Sequence, residues 1–157
     1  MRVETRELKL EFSLLINASP DRILNAFFDA DALNAWWGVT HAVTVPRPLG
    51  PYALEWSPSE FRDEVLGSLG GVLRGTVIQF DTGAGFFIAD VYWLPPEGDP
   101  IGPMALEVTV TQNETGATRV DITQSGFEEG VRWQRYCEVI GVGWEHALAS
   151  LKKLLER

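Results

Sequence analysis

A chain of 157 residues is long enough for one domain that buries roughly 70% of its unfolded surface, so a full core can form without disulfide staples. Its formal net charge of −9, from 22 acidic against 13 basic residues, repels a phosphate backbone and disfavours nucleic acid as a partner. Cys137 is the only cysteine, which excludes an intramolecular disulfide; with no secretory leader and no charge-free run of membrane-spanning length, a cytoplasmic, soluble protein is expected.

Leu8, Leu10, Phe12, Leu14 and Ile16 alternate with Glu7, Lys9, Glu11, Ser13 and Leu15, the period of a strand with one buried face. Ser19 stands at an N-cap position with Pro20 and Asp21 in the first turn, so a short helix is expected over 20–28. Asp29 or Asp31 can cap a second short helix through Leu33, Trp36 and Trp37 that ends at Gly38. Val39, His41, Val43 and Val45 then alternate as a second strand, and Tyr52 to Trp56 is a third beyond the proline-bounded turn.

Ser57, Pro58 and Glu60 have the form of a capping box, and with Phe61, Val65 and Leu66 at helical spacing they predict a helix over 58–66. Gly70 and Gly71 release the chain into strands over Val72 to Asp81 and Phe86 to Leu94, joined by a glycine-bearing hairpin turn. The prolines and glycines from Pro95 to Pro103 predict a rigid loop. Met104, Leu106, Val108 and Val110 start the next hairpin, which returns through Asn113 to Gly116 into Thr118 to Gln124. The tripeptides starting at Asn17 and Asn113 match a glycosylation acceptor, but with no leader they read as cap and turn chemistry.

From Val131 to Arg157 the apolar residues Trp133, Tyr136, Cys137, Ile140, Trp144, Ala147, Leu148, Leu151 and Leu155 recur at three and four, which predicts one long amphipathic helix. Glu128 and Glu129 before it and Lys152, Lys153 and Arg157 at its end suit the helix dipole. Val139 and Val142 fall off this stripe as a candidate exposed strip at which a homodimer could form. The expected architecture is a single α+β domain over 1–157: strand, two short helices, about six strands with antiparallel pairing, and a long C-terminal helix.

This order of elements, with Asn17-Ala18-Ser19-Pro20, Trp36-Trp37-Gly38, Ser125-Gly126-Phe127 and Gly143-Trp144, resembles the START-like (SRPBCC) superfamily. Within it the chain looks like the branch named after the C-terminal domain of the activator of heat-shock protein 90 ATPase. The resemblance implies a helix-grip fold, in which a curved antiparallel sheet of about six or seven strands wraps the long helix and the two short helices close a hydrophobic cavity. Relatives of that superfamily bind lipids, hormones or polyketides, and a few cyclise or dehydrate them. Its motifs are mostly structural, so they speak for fold more than for activity. The segments Leu94 to Pro103 and Pro58 to Leu66 exceed the plainest family pattern, which places the expected difference at the pocket mouth.

Six tryptophans are many for this length, and each offers a broad apolar face with one donor. The candidate ligand-binding residues are Trp37, Tyr52, Trp56, Trp93, Leu106, Trp133, Tyr136, Ile140 and Trp144. Against this stands packing, which is the commoner role of any single buried aromatic. Trp36 and Trp37 are adjacent on a helix, so both are not expected to point inward, and at least one is expected to pack elsewhere or lie at the mouth. Tyr136 is either an inward hydroxyl or a rim residue; Glu55 is a candidate acid only if its face turns inward; Glu107 reads as solvated; Asp90 has no assignable side.

His41, His146 and Cys137 have no ligand spacing, so no metal site, cofactor or catalytic set is expected. Binding of a hydrophobic or aromatic small molecule therefore ranks first. An enzyme of the cyclase, dehydratase or hydrolase type, using Tyr136, Glu55 or another buried polar residue as acid or base, ranks second. A chaperone-interacting module ranks last, because the sequence lacks the additional N-terminal domain of the eukaryotic activators.

Overall fold

The computed structural model describes residues 8–157, so Glu7, the first polar residue of the opening alternation, lies outside the described residues. Strand β1 (Lys9–Ile16) leads into α1 (Pro20–Ala26) and α2 (Ala30–Trp37). Ser19 caps α1 by accepting from the Arg22 amide at 3.2 Å, with Pro20 in the first turn where its missing N–H costs nothing. Of the two candidate caps for α2 it is Asp29 that serves, accepting from the Ala32 amide at 2.9 Å. Gly38 stops α2 at φ 72°, a left-handed conformation that a side chain disfavours.

The chain continues through β2 (His41–Thr44), β3 (Pro51–Trp56), the two-residue strands β4 (Arg62–Asp63) and β5 (Gly67–Ser68), β6 (Gly71–Asp81), β7 (Gly85–Leu94), β8 (Ile101–Gln112) and β9 (Thr118–Ser125), and ends in α3 (Val131–Leu155). Seven strands form one antiparallel sheet in the order β1-β9-β8-β7-β6-β3-β2, while β4 and β5 make a separate ribbon. Register shifts in the β6–β7 and β7–β8 pairs bend the middle of the sheet. Asp90 sits at such an irregularity with φ 52° and is exposed, as are Glu107 and Glu55.

Two expectations are corrected. The helix over 58–66 does not form. Phe61 and Val65 are exposed, so no apolar stripe drives it, and Asp63 instead accepts from the Val65 and Leu66 amides at 3.0 and 2.9 Å, a local turn that competes with helix. The proline-rich loop is also shorter than expected, because β8 already begins at Ile101. Gly102 and Pro103 fit there because the pairing is irregular: a Cβ on Gly102 would lie 2.5 Å from the Tyr92 ring, and Pro103 needs no ladder donor at a bulge.

The sheet wraps α3, whose Trp144, Ala147, Leu148, Leu151 and Leu155 are buried in the core. Its C-terminal end is fastened to the turn between β1 and α1. Arg22 donates to the Leu155 carbonyl at 3.2 Å, Lys152 donates to the Leu15 carbonyl at 2.6 Å, and Glu156 accepts from the Asn17 amide at 2.8 Å. These contacts satisfy an orphan carbonyl at the end of the helix and fix its axis across the sheet. At the far end of the sheet Phe27, Phe28, Tyr52, Phe80 and Phe86 meet edge to face at 5.0 to 5.5 Å or at wider tilted and stacked spacings, a solid aromatic core.

Candidate functional site

The solid core gives way, toward the other end of α3, to a cavity of about 560 Å³ that opens to solvent. Its walls come from the end of α2, from β3, from the β4–β5 ribbon, from β6, β7 and β9, and from one face of α3. Five indoles line it: Trp36, Trp37, Trp56, Trp93 and Trp144. Trp36 and Trp37 stack at 4.8 Å, Trp37 meets Trp144 at 4.6 Å and Trp56 at 5.4 Å, and Trp93 stacks on Tyr136 at 5.4 Å.

Four of the five indole N–H groups are engaged by protein acceptors. Trp36 donates to the Ala26 carbonyl and Trp56 to the Trp37 carbonyl, both at 2.8 Å, Trp93 to the Gly70 carbonyl at 2.7 Å, and Trp144 to Gln124 Oε1 at 2.8 Å. Rings held at their polar edges offer their apolar surface to the cavity in a fixed orientation. Among the described residues no Asp, Glu, Lys or Arg lines it. The polar groups in the wall are Ser57, His146 and Ser150, which are exposed, and the buried pair Gln124 and Tyr136. Burial pushes the Tyr136 phenol above its ordinary value, and it also raises the Cys137 thiol, so neither is an activated base or nucleophile.

One edge of the site is fastened by an ion pair. Asp63, 5% exposed, receives Arg135 of α3 through Nε at 2.8 Å and Nη2 at 2.7 Å. This ties the ribbon that carries Leu66 and Leu69 to the helix that carries Tyr136 and Val139, on either side of the same cavity. Glu97, from the proline-rich segment, pairs with Arg62 and accepts from the Ser68 amide at 3.2 Å, so the two long excursions brace each other.

Hydrogen bonds from Arg135 first, and then from the Leu66 amide, bring the Asp63 carboxyl down to about 2 from the ordinary 3.8. A depressed carboxylate contributes stability that is present above its unfolded pKa and lost as pH falls through the folded one. The melting temperature of the wild type is therefore expected to fall between about pH 4 and about pH 2 more steeply than that of Asp63→Asn. Parallel melting curves for the two proteins across that window would show that the pair contributes nothing to the acid limb.

The structure brings six of the nine sequence-selected residues into one wall: Trp37, Trp56, Trp93, Tyr136, Ile140 and Trp144. Three lie elsewhere. Tyr52 is 1% exposed in the solid core and donates its hydroxyl to the Phe27 carbonyl at 2.8 Å. Leu106, also 1% exposed, packs within the core cluster on the inner side of β8. Trp133 belongs to a separate groove on the opposite flank of α3, with Leu8, Leu10, Phe127 and Cys137. That groove, about 640 Å³, is the larger of the two, but Glu128, Glu129, Glu138 and Glu145 line it and it holds one indole. The first cavity is the better apolar site because burying an apolar guest beside four carboxylates would cost their solvation.

Three further outcomes differ from the sequence reading. The apolar stripe of α3 divides between two flanks, with Trp133 and Cys137 on the groove side and Tyr136, Ile140 and Trp144 on the cavity side. Val139 and Val142 do not form one exposed strip: Val139 lines the cavity, and Val142 lines the groove. Trp36 and Trp37 both reach the cavity although neighbours on a helix diverge by about 100°. Their indoles fold against each other at the last turn of α2, so the buried ring of Trp36 supports the half-buried ring of Trp37.

Gln124 is the buried polar residue of the cavity wall that sequence reasoning missed. It follows Val120 and Ile122 in the same alternation, so parity alone placed it on the inner face, where a polar side chain needs partners.

A family model described as activator of Hsp90 ATPase homolog 1-like protein matches residues 17–156. The chain belongs to that family. Among solved structures, this activator-homolog chain is similar to protein MLL2253 from Mesorhizobium loti, at 19% identity over 96% of this chain and 98% of that one, with a TM-score of 0.73. It is also similar to protein CV1439 from Chromobacterium violaceum, at 21% identity over 96% and 99%, TM-score 0.68. A third is the Aha1 dimer from Colwellia psychrerythraea, at 22% identity over 95% and 96%, TM-score 0.64. At such identities the likeness carries the fold alone. No curated protein matches the chain. Among the described residues no helix is long and apolar enough to cross a membrane.

Proposed function

We propose that this activator-homolog domain binds an apolar or aromatic small molecule in the cavity between the sheet and α3. The observation that carries the proposal is the wall itself: five indoles, four of them held at their N–H, around about 560 Å³, and no formal charge among the described lining side chains. Ligand pockets commonly fall between about 300 and 1,000 Å³ and combine an apolar wall with few convergent polar groups. A flat aromatic guest can lie against Trp37 and Trp56, whose rings meet at 73° and so present two faces of a corner.

Catalysis in the same place has less support. Glu55, one of its two named candidates, is exposed on β3 and pairs with His41 at 3.2 Å outside the cavity. Tyr136, the other, is held in its protonated form by burial. The test is a titration with aminoanthracene followed by its emission, with native mass spectrometry for stoichiometry. Saturable uptake of one probe per chain, displaced by a non-fluorescent aromatic hydrocarbon, is expected. Emission that rises without saturating, or no uptake at the solubility limit, would remove the basis for the proposal.

A further inference from the structure

The polar chain in the cavity wall has a direction, and it ends in an unused proton. An indole N–H can only donate, so the Gln124 atom 2.8 Å from Trp144 Nε1 is the carbonyl oxygen Oε1. That fixes the other end of the amide. Nε2 carries the donors, with the Tyr136 hydroxyl oxygen at 3.2 Å and Met104 Sδ at 3.4 Å. Tyr136 therefore accepts, and its own O–H has no acceptor among the described residues. The residue is 3% exposed and lies in the cavity wall, its ring held against Trp93.

Tyr52 shows the contrast. It is the other deeply buried phenol, and its proton is engaged by the Phe27 carbonyl at 2.8 Å. A buried donor left without an acceptor loses its hydration with no return, so the site is complete only when something in the cavity accepts that hydrogen bond. Resting on the binding reading above, we propose that Tyr136 is the hydrogen-bond donor of the site and that the guest carries a neutral acceptor oxygen, of the carbonyl type, on an apolar or aromatic body. A carboxylate or phosphate guest would enter a wall with no Lys or Arg among the described residues to pair with it. Because burial raises the Tyr136 phenol, it keeps this proton across the neutral range.

Acetylnaphthalene and ethylnaphthalene have nearly the same shape and differ in one acceptor oxygen, so they separate the donor from the cavity. Tyr136→Phe is expected to weaken acetylnaphthalene about tenfold and to leave ethylnaphthalene within about twofold. In wild type the infrared carbonyl stretch of the bound ketone is expected below its frequency in hydrocarbon solvent, and in the variant to return toward it. An unshifted carbonyl band in wild type overturns the assignment without any variant, and so does an equal loss of both probes in Tyr136→Phe. In either case the cavity reading stands. Failure of both probes to bind wild type would overturn the cavity reading and this inference together.

Discussion

Trp144→Ala is expected to destabilise the fold by about 3–5 kcal/mol, the range for removing a buried large aromatic from a packed site. Trp144 is 1% exposed and joins three parts of the molecule. Its ring meets Phe12 of β1 at 6.2 Å and Trp37 of α2 at 4.6 Å, and its N–H reaches Gln124 of β9. Truncation therefore removes dispersion contacts, opens a void and leaves the Gln124 carbonyl without its donor. The two contributions are separable. Trp144→Phe keeps most of the ring volume but loses the donor and the smaller part of the indole, for which a loss of about 1–3 kcal/mol is expected. Urea denaturation of both variants measures the difference. If Trp144→Ala unfolded within about 1 kcal/mol of wild type, as surface substitutions do, the helix would not be anchored through this residue.

The second large effect concerns binding and runs against stability. Gly143 lies in the cavity wall on α3, and a Cβ placed on it meets nothing within 4 Å. A helical glycine is about 0.5–1 kcal/mol less favourable than alanine, so Gly143→Ala is expected to raise stability by about that amount. Gly143→Trp projects an indole into the space a guest would occupy. It is expected to weaken aminoanthracene by more than about tenfold while the protein melts no lower than wild type. The pair of readouts matters because most substitutions that abolish binding also loosen the fold. Undiminished uptake by a stable Gly143→Trp protein would move the guest away from this face of α3.

Much of this architecture is legible in the residues. Period-two alternation marks β1, β8 and β9, and the caps at Ser19 and Asp29 set the starts of α1 and α2. The spacing of Trp144, Leu148, Leu151 and Leu155 marks α3 as the buried helix. The segment from Ser57 to Leu66 misleads because its capping signature is local, whereas Asp63 accepts from the Val65 and Leu66 amides in a turn and pairs with Arg135, 72 residues beyond it. Trp133 and Tyr136 illustrate a limit of periodicity. Positions three apart share a broad helix face, but that face is divided between a cavity and a groove by the strands packed against it, and period alone carries no information about where the dividing line falls. Tyr52 and Leu106 alternate as inward residues should, yet Tyr52 packs in the aromatic core, and Leu106 packs in the core cluster although its cross-strand partner Gln124 lines the cavity.

The account stands on the cavity between the sheet and α3 accepting an apolar guest, and the six indoles supply an internal control for it. Five of them line the cavity and Trp133 lies across α3 in the other groove. The most direct measurement is a titration of isotope-labelled protein with ethylnaphthalene, followed through the indole Nε1–H resonances. Saturable shifts at Trp37, Trp56 and Trp93, with Trp133 unmoved, are the predicted result. Shifts confined to Trp133, or none at any indole, would contradict it.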